Sequence, residues 1–167
     1  MSEETQRLFR AWTFKPSDEV KPEDLSDSFI SREYLRAWYV DGRMDRVETL
    51  EEDAVVRVTY LDRTSLDPAL LERHRALYGE RAVALRLRSP MMPVDGFLMQ
   101  EWLSYLDPTC LFEIVQGWWS PDGRRRFKTV WLTPDRKFNG SMEDVYDEDG
   151  IPRGTIARDA SGAIVPR

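Results

Sequence analysis

Apolar and polar residues alternate along much of the chain from residue 34 onward, with the period of two that is typical of β-strands with one buried face. A first alternating segment covers residues 34–40, a second covers 43–48, and Asp41-Gly42 lies between them. An Asp-Gly pair in this position favours a type I′ turn, because both central residues of that turn need positive φ. With a third segment at 54–61, the pattern predicts a three-stranded antiparallel meander.

One later segment has the 3.6-residue period of an amphipathic helix and has boundary signals at both ends. Asp67 suits the N-cap, Pro68 the first helical position, and Gly79 the position after the last turn. The apolar face of this helix, which we expect to pack on the sheet, consists of Leu70, Leu71, His74, Leu77 and Tyr78.

Alternation returns in the C-terminal part of the chain. Pro and Gly in Ser120-Pro121-Asp122-Gly123 suit the second and fourth positions of a type I turn, which predicts another hairpin. An aromatic residue followed after a short spacer by Asp-Gly recurs at Trp38, Trp118 and Tyr146, and this irregular spacing indicates repeated use of one turn rather than a repeat fold. Residues 97–106 fit both a helix and a buried strand. The other strands predicted after the helix cover residues 81–88, 111–119, 124–132, 143–146 and 151–158.

These elements predict an α+β fold with a mostly antiparallel, strongly curled sheet of seven to nine strands and one packed helix; the alternative is a small closed β-barrel. The length of 167 residues suits a single domain, which we place at residues 31–167. Residues 1–30 are expected to form an N-terminal lead-in, with a turn or an edge strand at 6–14 and a Pro- and acid-rich connection after it.

Composition narrows the class of partner. The chain has 24 Lys and Arg against 30 Asp and Glu, a net charge of -6 that argues against nucleic acid, because such binding depends on unopposed basic residues. No apolar run reaches the length of about 18 residues that spans a bilayer, and the acidic N-terminus differs from a secretory signal. One Cys excludes an intramolecular disulfide and a Cys-based zinc site. We therefore predict a cytoplasmic protein without a membrane or nucleic-acid partner, and the oligomeric state stays open.

Most catalytic and cofactor motifs are missing from the sequence. His74 is the only histidine, the acidic turn at 144–150 lacks the first and last ligands of a calcium loop, and no glycine-rich phosphate loop occurs. We therefore expect no metal and no cofactor. The position of His74 on an apolar helix face indicates a packed histidine, and Cys110 before an apolar strand indicates a small buried side chain.

Six tryptophans are the most distinctive feature of the composition, and two of them are adjacent. Neighbouring residues in a strand point to opposite faces, so Trp118 and Trp119 cannot both enter one core unless the sheet is covered on both sides. The predicted turn places Trp119 opposite Arg124 and Trp118 opposite Arg125. Trp and Arg dominate binding hot spots, although cross-strand packing that merely stabilises the hairpin explains the same residues. We predict a non-catalytic domain of the inhibitor, immunity-protein or adaptor type that binds another protein through Trp118, Trp119, Arg124, Arg125 and Arg126.

The alternative function is a pocket for an apolar or aromatic small molecule, with isomerase or cyclase activity as its catalytic form. In that case the walls are Trp38, Tyr60, Trp102 and Trp131, and the polar groups are Glu113, His74 and Arg57. Glu101 and Glu113 lie beside apolar residues, so an inward orientation predicts a carboxyl pKa raised by desolvation.

Overall fold

The computed structural model of the protein describes residues 3–12, 14–21, 33–79, 83–107 and 110–166. The described residues form twelve strands, one α-helix and a short 3-10 turn at Pro16–Asp18. Helix α1 is Pro68–Tyr78. The strands are β1 Glu4–Phe9, β2 Glu19–Val20, β3 Tyr34–Val40, β4 Arg43–Glu51, β5 Ala54–Leu61, β6 Ala84–Arg88, β7 Met92–Val94, β8 Phe97–Asp107, β9 Cys110–Trp119, β10 Arg126–Leu132, β11 Phe138–Tyr146 and β12 Pro152–Arg158.

All twelve strands belong to one sheet. Their order is β12-β11-β10-β9-β8-β6-β5-β4-β3-β1-β2, and the short β7 pairs with the N-terminal end of β8. Every pair is antiparallel except β5 and β6, which run parallel because α1 connects them as a crossover. The outermost strands in the described part of the chain are β12 and β2, so the sheet is open.

The predicted fold class is therefore wrong in strand count and in the barrel alternative. The sheet has twelve strands rather than seven to nine, it is mixed, and it does not close. Two strands outside the predicted count lie in the expected lead-in. The mostly exposed, polar β1, which overlaps the segment expected as a turn or an edge strand, pairs with β3, and β2 pairs with β1. Residues 97–106 are strand, and they form a hairpin with β7 through Asp95-Gly96, whose φ values of 49° and 82° suit a type I′ turn.

The predicted meander and helix are confirmed. Asp41 and Gly42 both have positive φ, at 50° and 76°, and they connect β3 to β4. At the start of α1, the Oδ1 of Asp67 accepts a hydrogen bond from the Leu70 N–H at 2.8 Å. Gly79 ends the helix at a φ of 67°.

Two apolar clusters lie on the two sides of the sheet. On the side that α1 covers, called here the helix face, Leu70 packs on buried residues of β5, β6, β8 and β9, namely Val58, Tyr60, Leu85, Leu87, Leu103 and Ile114. On the other side, called the opposite face, the half-buried Phe14 packs on the cluster of Phe9, Leu35, Ala37 and Val47. Both faces are therefore covered around β3 to β6.

Strands β9 to β12 and the tail after them are connected by four turns with a common hydrogen-bond pattern. In each turn the carbonyl of the first residue accepts from the N–H three residues later, at 2.8 or 2.9 Å. The side-chain oxygen of that residue also accepts a backbone N–H four or five residues later. The four first residues are Ser120, Thr133, Asp147 and Asp159, at intervals of 13, 14 and 12 residues. This regular spacing was hidden in the sequence because Asp-Gly is present in only two of the four turns.

Candidate functional site

Four charged and aromatic residues of β3 and β4 form a cluster under α1. Arg36 and Trp38 alternate on β3, and their direct cross-strand neighbours on β4 are Glu48 and Arg46. All four therefore lie on the helix face. Arg46 and Glu48 are each only 2% exposed, which is unusual for charged side chains unless they are paired.

The buried charges in this cluster are paired with each other. Arg46 donates from Nη1 to Oε1 of Glu4 at 2.5 Å and from Nε to the Tyr78 hydroxyl at 3.1 Å. The Tyr78 hydroxyl donates to Oε1 of Glu48, and Arg36 donates from Nε to Oε2 of Glu48 at 2.5 Å. Strands β1, β3 and β4 and the last turn of α1 are thereby joined by charge-assisted hydrogen bonds.

Burial and these hydrogen bonds set the protonation states. Burial raises the pKa of Tyr78, and its hydrogen bond to Glu48 raises it further, so the phenol stays neutral and acts as a donor. Burial lowers the pKa of Arg46, but the hydrogen bond to Glu4 and the interaction with Tyr78 outweigh this effect, and the net pKa is raised. The cluster therefore holds a charged guanidinium and a neutral phenol side by side.

A cavity of about 500 Å³ opens beside this cluster, between the C-terminal half of α1 and the sheet. The guanidinium carbons of Arg46 and Arg36 lie over the Trp38 ring, 4.5 and 5.6 Å from its centroid. Val55, Leu77 and Val83 provide apolar lining. The cavity thus combines an aromatic wall, two guanidinium groups, an apolar side and three carboxylates, those of Glu4, Glu48 and Asp53. Such a mixture of apolar and polar groups is found in small-molecule sites.

His74 and Tyr60 pack in the core next to the cavity and are not part of its lining. Nδ1 of His74 lies 3.1 Å from the Tyr60 hydroxyl, and both residues are buried. Burial lowers the pKa of His74, although a hydrogen bond with the Val83 backbone raises it. Burial also raises the pKa of Tyr60 to about 12. These contacts are those of a packed, neutral histidine.

The residues predicted for one pocket lie on two sides of the sheet. Trp38 and Tyr60 are on the helix face, whereas the strand registers place Trp102 and Trp131 on the opposite face, on either side of Val115. These four aromatic residues therefore do not line one pocket.

The predicted polar groups are divided in the same way. Arg57 and Glu113 lie on the opposite face, on either side of Arg86, while His74 is on α1. Burial lowers the pKa of Arg86, nearby Arg57 lowers it further, and Glu113 raises it. The structure thus brings Arg57 and Glu113 to one arginine-rich area but separates them from His74.

The pKa of Glu101 is lowered, whereas an inward orientation governed by desolvation alone predicts a raised one. Burial alone raises this pKa, but hydrogen bonds from Arg136 and Gln116 lower it below its ordinary value. Arg136 donates from both terminal nitrogens to the carboxylate at 3.0 Å, so Glu101 is an ionised structural partner of the β10–β11 turn.

Trp118 and Trp119 lie on opposite faces. The Trp119 ring lies over Gly117, where a Cβ would come within 2.6 Å of it, and its centroid is 5.9 Å from that of Trp102. Trp118 lies between Met99 and Lys128 on the helix face. The predicted hairpin register is wrong, because the turn extends to residue 125 and places Arg126 opposite Trp119.

The three arginines of this hairpin have different environments. Arg124 has a side chain that is 88% exposed and lies 3.9 Å from Asp122. Arg125 instead lies over the Tyr146 ring, 4.4 Å from its centroid, and Arg126 is exposed at the start of β10. Among the described residues, none of these guanidinium groups lies over a tryptophan, so the five predicted binding residues do not form one patch.

Cys110 is exposed, contrary to the expected small buried side chain, because it is the first residue of β9. The candidate site residues that the sequence did not indicate are Arg36, Arg46 and Glu48, together with the hydroxyl of Tyr78. The three charged residues alternate with others in β3 and β4, a pattern that equally fits a solvated strand face.

A comparison with known proteins finds no matching family model, no similar curated protein and no similar solved structure. Within the described residues, no helix has the length and apolar character needed to cross a membrane.

Proposed function

We propose that the protein binds a small aromatic or apolar molecule carrying an acid group, in the cavity under α1. The observation that supports this proposal is the buried Arg46–Tyr78–Glu48–Arg36 network beside a cavity of about 500 Å³, within the range of ligand pockets. Perturbed ionisable groups in a cavity are a general mark of functional sites.

The acid group of the proposed ligand is inferred from the hydrogen-bond donors of Arg36 that remain free. Its Nε donates to Glu48, whereas its two terminal nitrogens make no hydrogen bond to the residues that the structure describes. The side chain is 28% exposed and lines the cavity. A carboxylate is a suitable acceptor for such a pair of donors.

The apolar part of the proposed ligand is inferred from the apolar residues that line the same cavity. Leu77 on α1 is 46% exposed at the cavity, although it is a large apolar side chain, and Val55 and Val83 lie nearby. A planar ring placed against these residues and Trp38 would remove apolar surface from water.

We propose that the protein binds this molecule without catalysing a reaction. The raised pKa of Tyr78 keeps its proton on at neutral pH, so this hydroxyl is a hydrogen-bond donor and not a base. His74, the other candidate base, is packed against Tyr60. A cytoplasmic location accompanies the proposal, and the exposed thiol of Cys110 supports a reducing compartment.

The test uses indole-3-acetate and its neutral analogue indole-3-acetamide, with affinity measured by calorimetry. We expect the acid to bind more tightly than the amide, and Arg36→Gln to remove this difference. Leu77→Trp should block both probes by filling the cavity, whereas the control Leu106→Trp, at a 60% exposed position outside the cavity, should not. No binding of either probe, or equal effects of the two tryptophan variants, would refute the proposal.

A second proposal is that the opposite face binds a partner protein, as an aromatic and Arg-bearing sheet face. The contact between Trp102 and Trp119 supports it, because two further residues of the same type of surface lie beside Trp102. Arg88 is its cross-strand neighbour on β6, and Trp131 follows on the other side, beyond Val115. In a cross-linking pull-down, Trp119→Ala should lose a partner that the control Phe138→Ala, at an exposed aromatic position, retains. Equal recovery with both variants would exclude this surface.

A further inference from the structure

We infer that a second cavity, separate from the one under α1, binds a small phosphorylated polyol. This cavity has a volume of about 340 Å³ and lies at the ends of β5 and β6, where Arg88 and Gln100 meet the start of β4. Met44 and Leu61, which line it, belong to the apolar cluster of the opposite face, so the sheet separates the two cavities.

Gln100 has an unsatisfied acceptor in this cavity wall. The residue is only 4% exposed, and its Nε2 donates to the Ser89 carbonyl at 2.9 Å. Because a carbonyl can only accept, this bond determines the amide orientation and leaves Oε1 as the free end. Among the described residues, Oε1 has no hydrogen-bond partner although it is buried.

Arg88 has an unsatisfied hydrogen-bond donor, which complements the unsatisfied acceptor of Gln100. Its Nε is also buried and lacks a hydrogen-bond partner in the described part of the chain. A buried donor and a buried acceptor without partners are costly, so a bound group that satisfies both is favoured. A hydroxyl group accepts one hydrogen bond and donates another, which is the combination that Arg88 and Gln100 require.

The charge of the cavity favours an anion beside that hydroxyl. Arg43 and Arg88 line it, and neither has a carboxylate within 4.0 Å among the residues described, while Asp62 is the acidic residue in the lining. A shallow depression of about 250 Å³ adjoins the cavity and adds Arg63 together with Asp45, whose carboxylate already accepts two hydrogen bonds from Arg73. Guanidinium groups are well suited to phosphate, so the site fits a phosphate ester with a free hydroxyl.

The experiment compares glycerol 3-phosphate, inorganic phosphate and glycerol by NMR titration of the whole protein. We expect glycerol 3-phosphate to bind more tightly than inorganic phosphate, and glycerol alone not to bind. Arg88→Gln should weaken both anions by about tenfold or more. Gln100→Leu should weaken glycerol 3-phosphate alone and so reduce its advantage over inorganic phosphate.

Two controls separate this site from general charge and from the cavity under α1. Arg124→Gln removes a remote, 88% exposed guanidinium and should leave binding unchanged. Leu77→Trp should also leave it unchanged, because that residue lines the other cavity. If Arg88→Gln does not fold, the exposed Arg43→Gln tests the same anion site.

The inference is overturned if the folded wild-type protein does not bind glycerol 3-phosphate at millimolar concentration. It is also overturned if Arg124→Gln loses as much affinity as Arg88→Gln or Arg43→Gln, since the binding would then reflect surface charge. An unchanged preference for glycerol 3-phosphate in Gln100→Leu would remove the hydroxyl contact and with it the assignment to a polyol.

Discussion

The part of the sheet from β3 to β6 and the part from β9 to β12 are stabilised in different ways. In the first part, α1 covers one face and Phe14 packs on the other, and most buried apolar residues are found here. In the second part, only Ile114 and Val130 belong to the buried apolar set, and repeated turns and cross-strand pairs connect the strands. Ion pairs between the same residue types therefore affect stability differently in the two parts, because only the covered part excludes water from them.

The largest expected effect contrasts two glutamates in cross-strand pairs. Glu48 pairs with Arg36 and is nearly inaccessible, while Glu143 pairs with Lys128 at 2.9 Å with both side chains 35% exposed. We expect Glu48→Gln to lower the free energy of unfolding by about 3–5 kcal/mol, because it removes the buried carboxylate that accepts hydrogen bonds from both Arg36 and Tyr78. Glu143→Gln should cost less than about 1 kcal/mol.

Urea unfolding of the two variants and the wild type measures this difference. The denaturant dependence should be unchanged in both variants, which would show that stability and not the compactness of either state has altered. Similar losses for Glu48→Gln and Glu143→Gln would mean that α1 does not isolate the charge cluster from water.

A smaller effect is expected in the turns of the second part. Asp147 accepts backbone hydrogen bonds from the N–H groups of Ile151 at 2.8 Å and Asp149 at 3.1 Å, and its other oxygen accepts from Arg153. We expect Asp147→Ala to lower the free energy of unfolding by about 1 kcal/mol, as the loss of a capping side chain does.

Asp149→Ala is the matched control, since it removes an exposed carboxylate from the same turn and should cost less than about 0.5 kcal/mol. Thermal unfolding followed by circular dichroism measures both variants. A loss in Asp149→Ala as large as that in Asp147→Ala would assign the effect to charge, and the shared hydrogen-bond pattern of the four turns would then be of little energetic importance.

The sequence predicts local features of the fold well, because the signals for them are local. Asp41-Gly42 specifies a hairpin and Asp67 specifies the start of α1 through hydrogen bonds and φ angles within a few residues. The polar β1 has no such signal, since it is a strand only through its pairing with β3. Its omission, together with that of β2 and the short β7, explains the low predicted strand count.

The candidate site was less predictable because it depends on a register irregularity. A regular hairpin around Asp41-Gly42 would place Trp38 opposite Asp45, but the pairing shifts between Trp38 and Tyr39 and brings Arg46 opposite Trp38 instead. The loop from 120 to 125 similarly displaces the arginines of the Trp118–Trp119 hairpin. Such shifts depend on tertiary packing, so alternation alone does not reveal which charges come together.

The smallest expected effect is a difference in acid sensitivity between His74 in the covered part and Glu101 on β8, which pairs with Arg136 of the β10–β11 turn. Burial against Tyr60 lowers the pKa of His74 from 6.5, so the unfolded state takes up a proton at higher pH than the folded state. Stability is therefore complete above pH 6.5 and falls as the pH decreases below it. The pKa of Glu101 is lowered from 4.5, so its contribution to stability is lost only as the pH falls below 4.5.

Urea unfolding between these two pH values should show that the free energy of unfolding decreases as the pH falls. We expect His74→Gln to reduce this pH dependence and Glu101→Gln to leave it intact. If Glu101→Gln reduced it instead, acid sensitivity in this range would originate in the pair of Glu101 on β8 with Arg136 in the β10–β11 turn, and the neutral state of His74 would not affect folding.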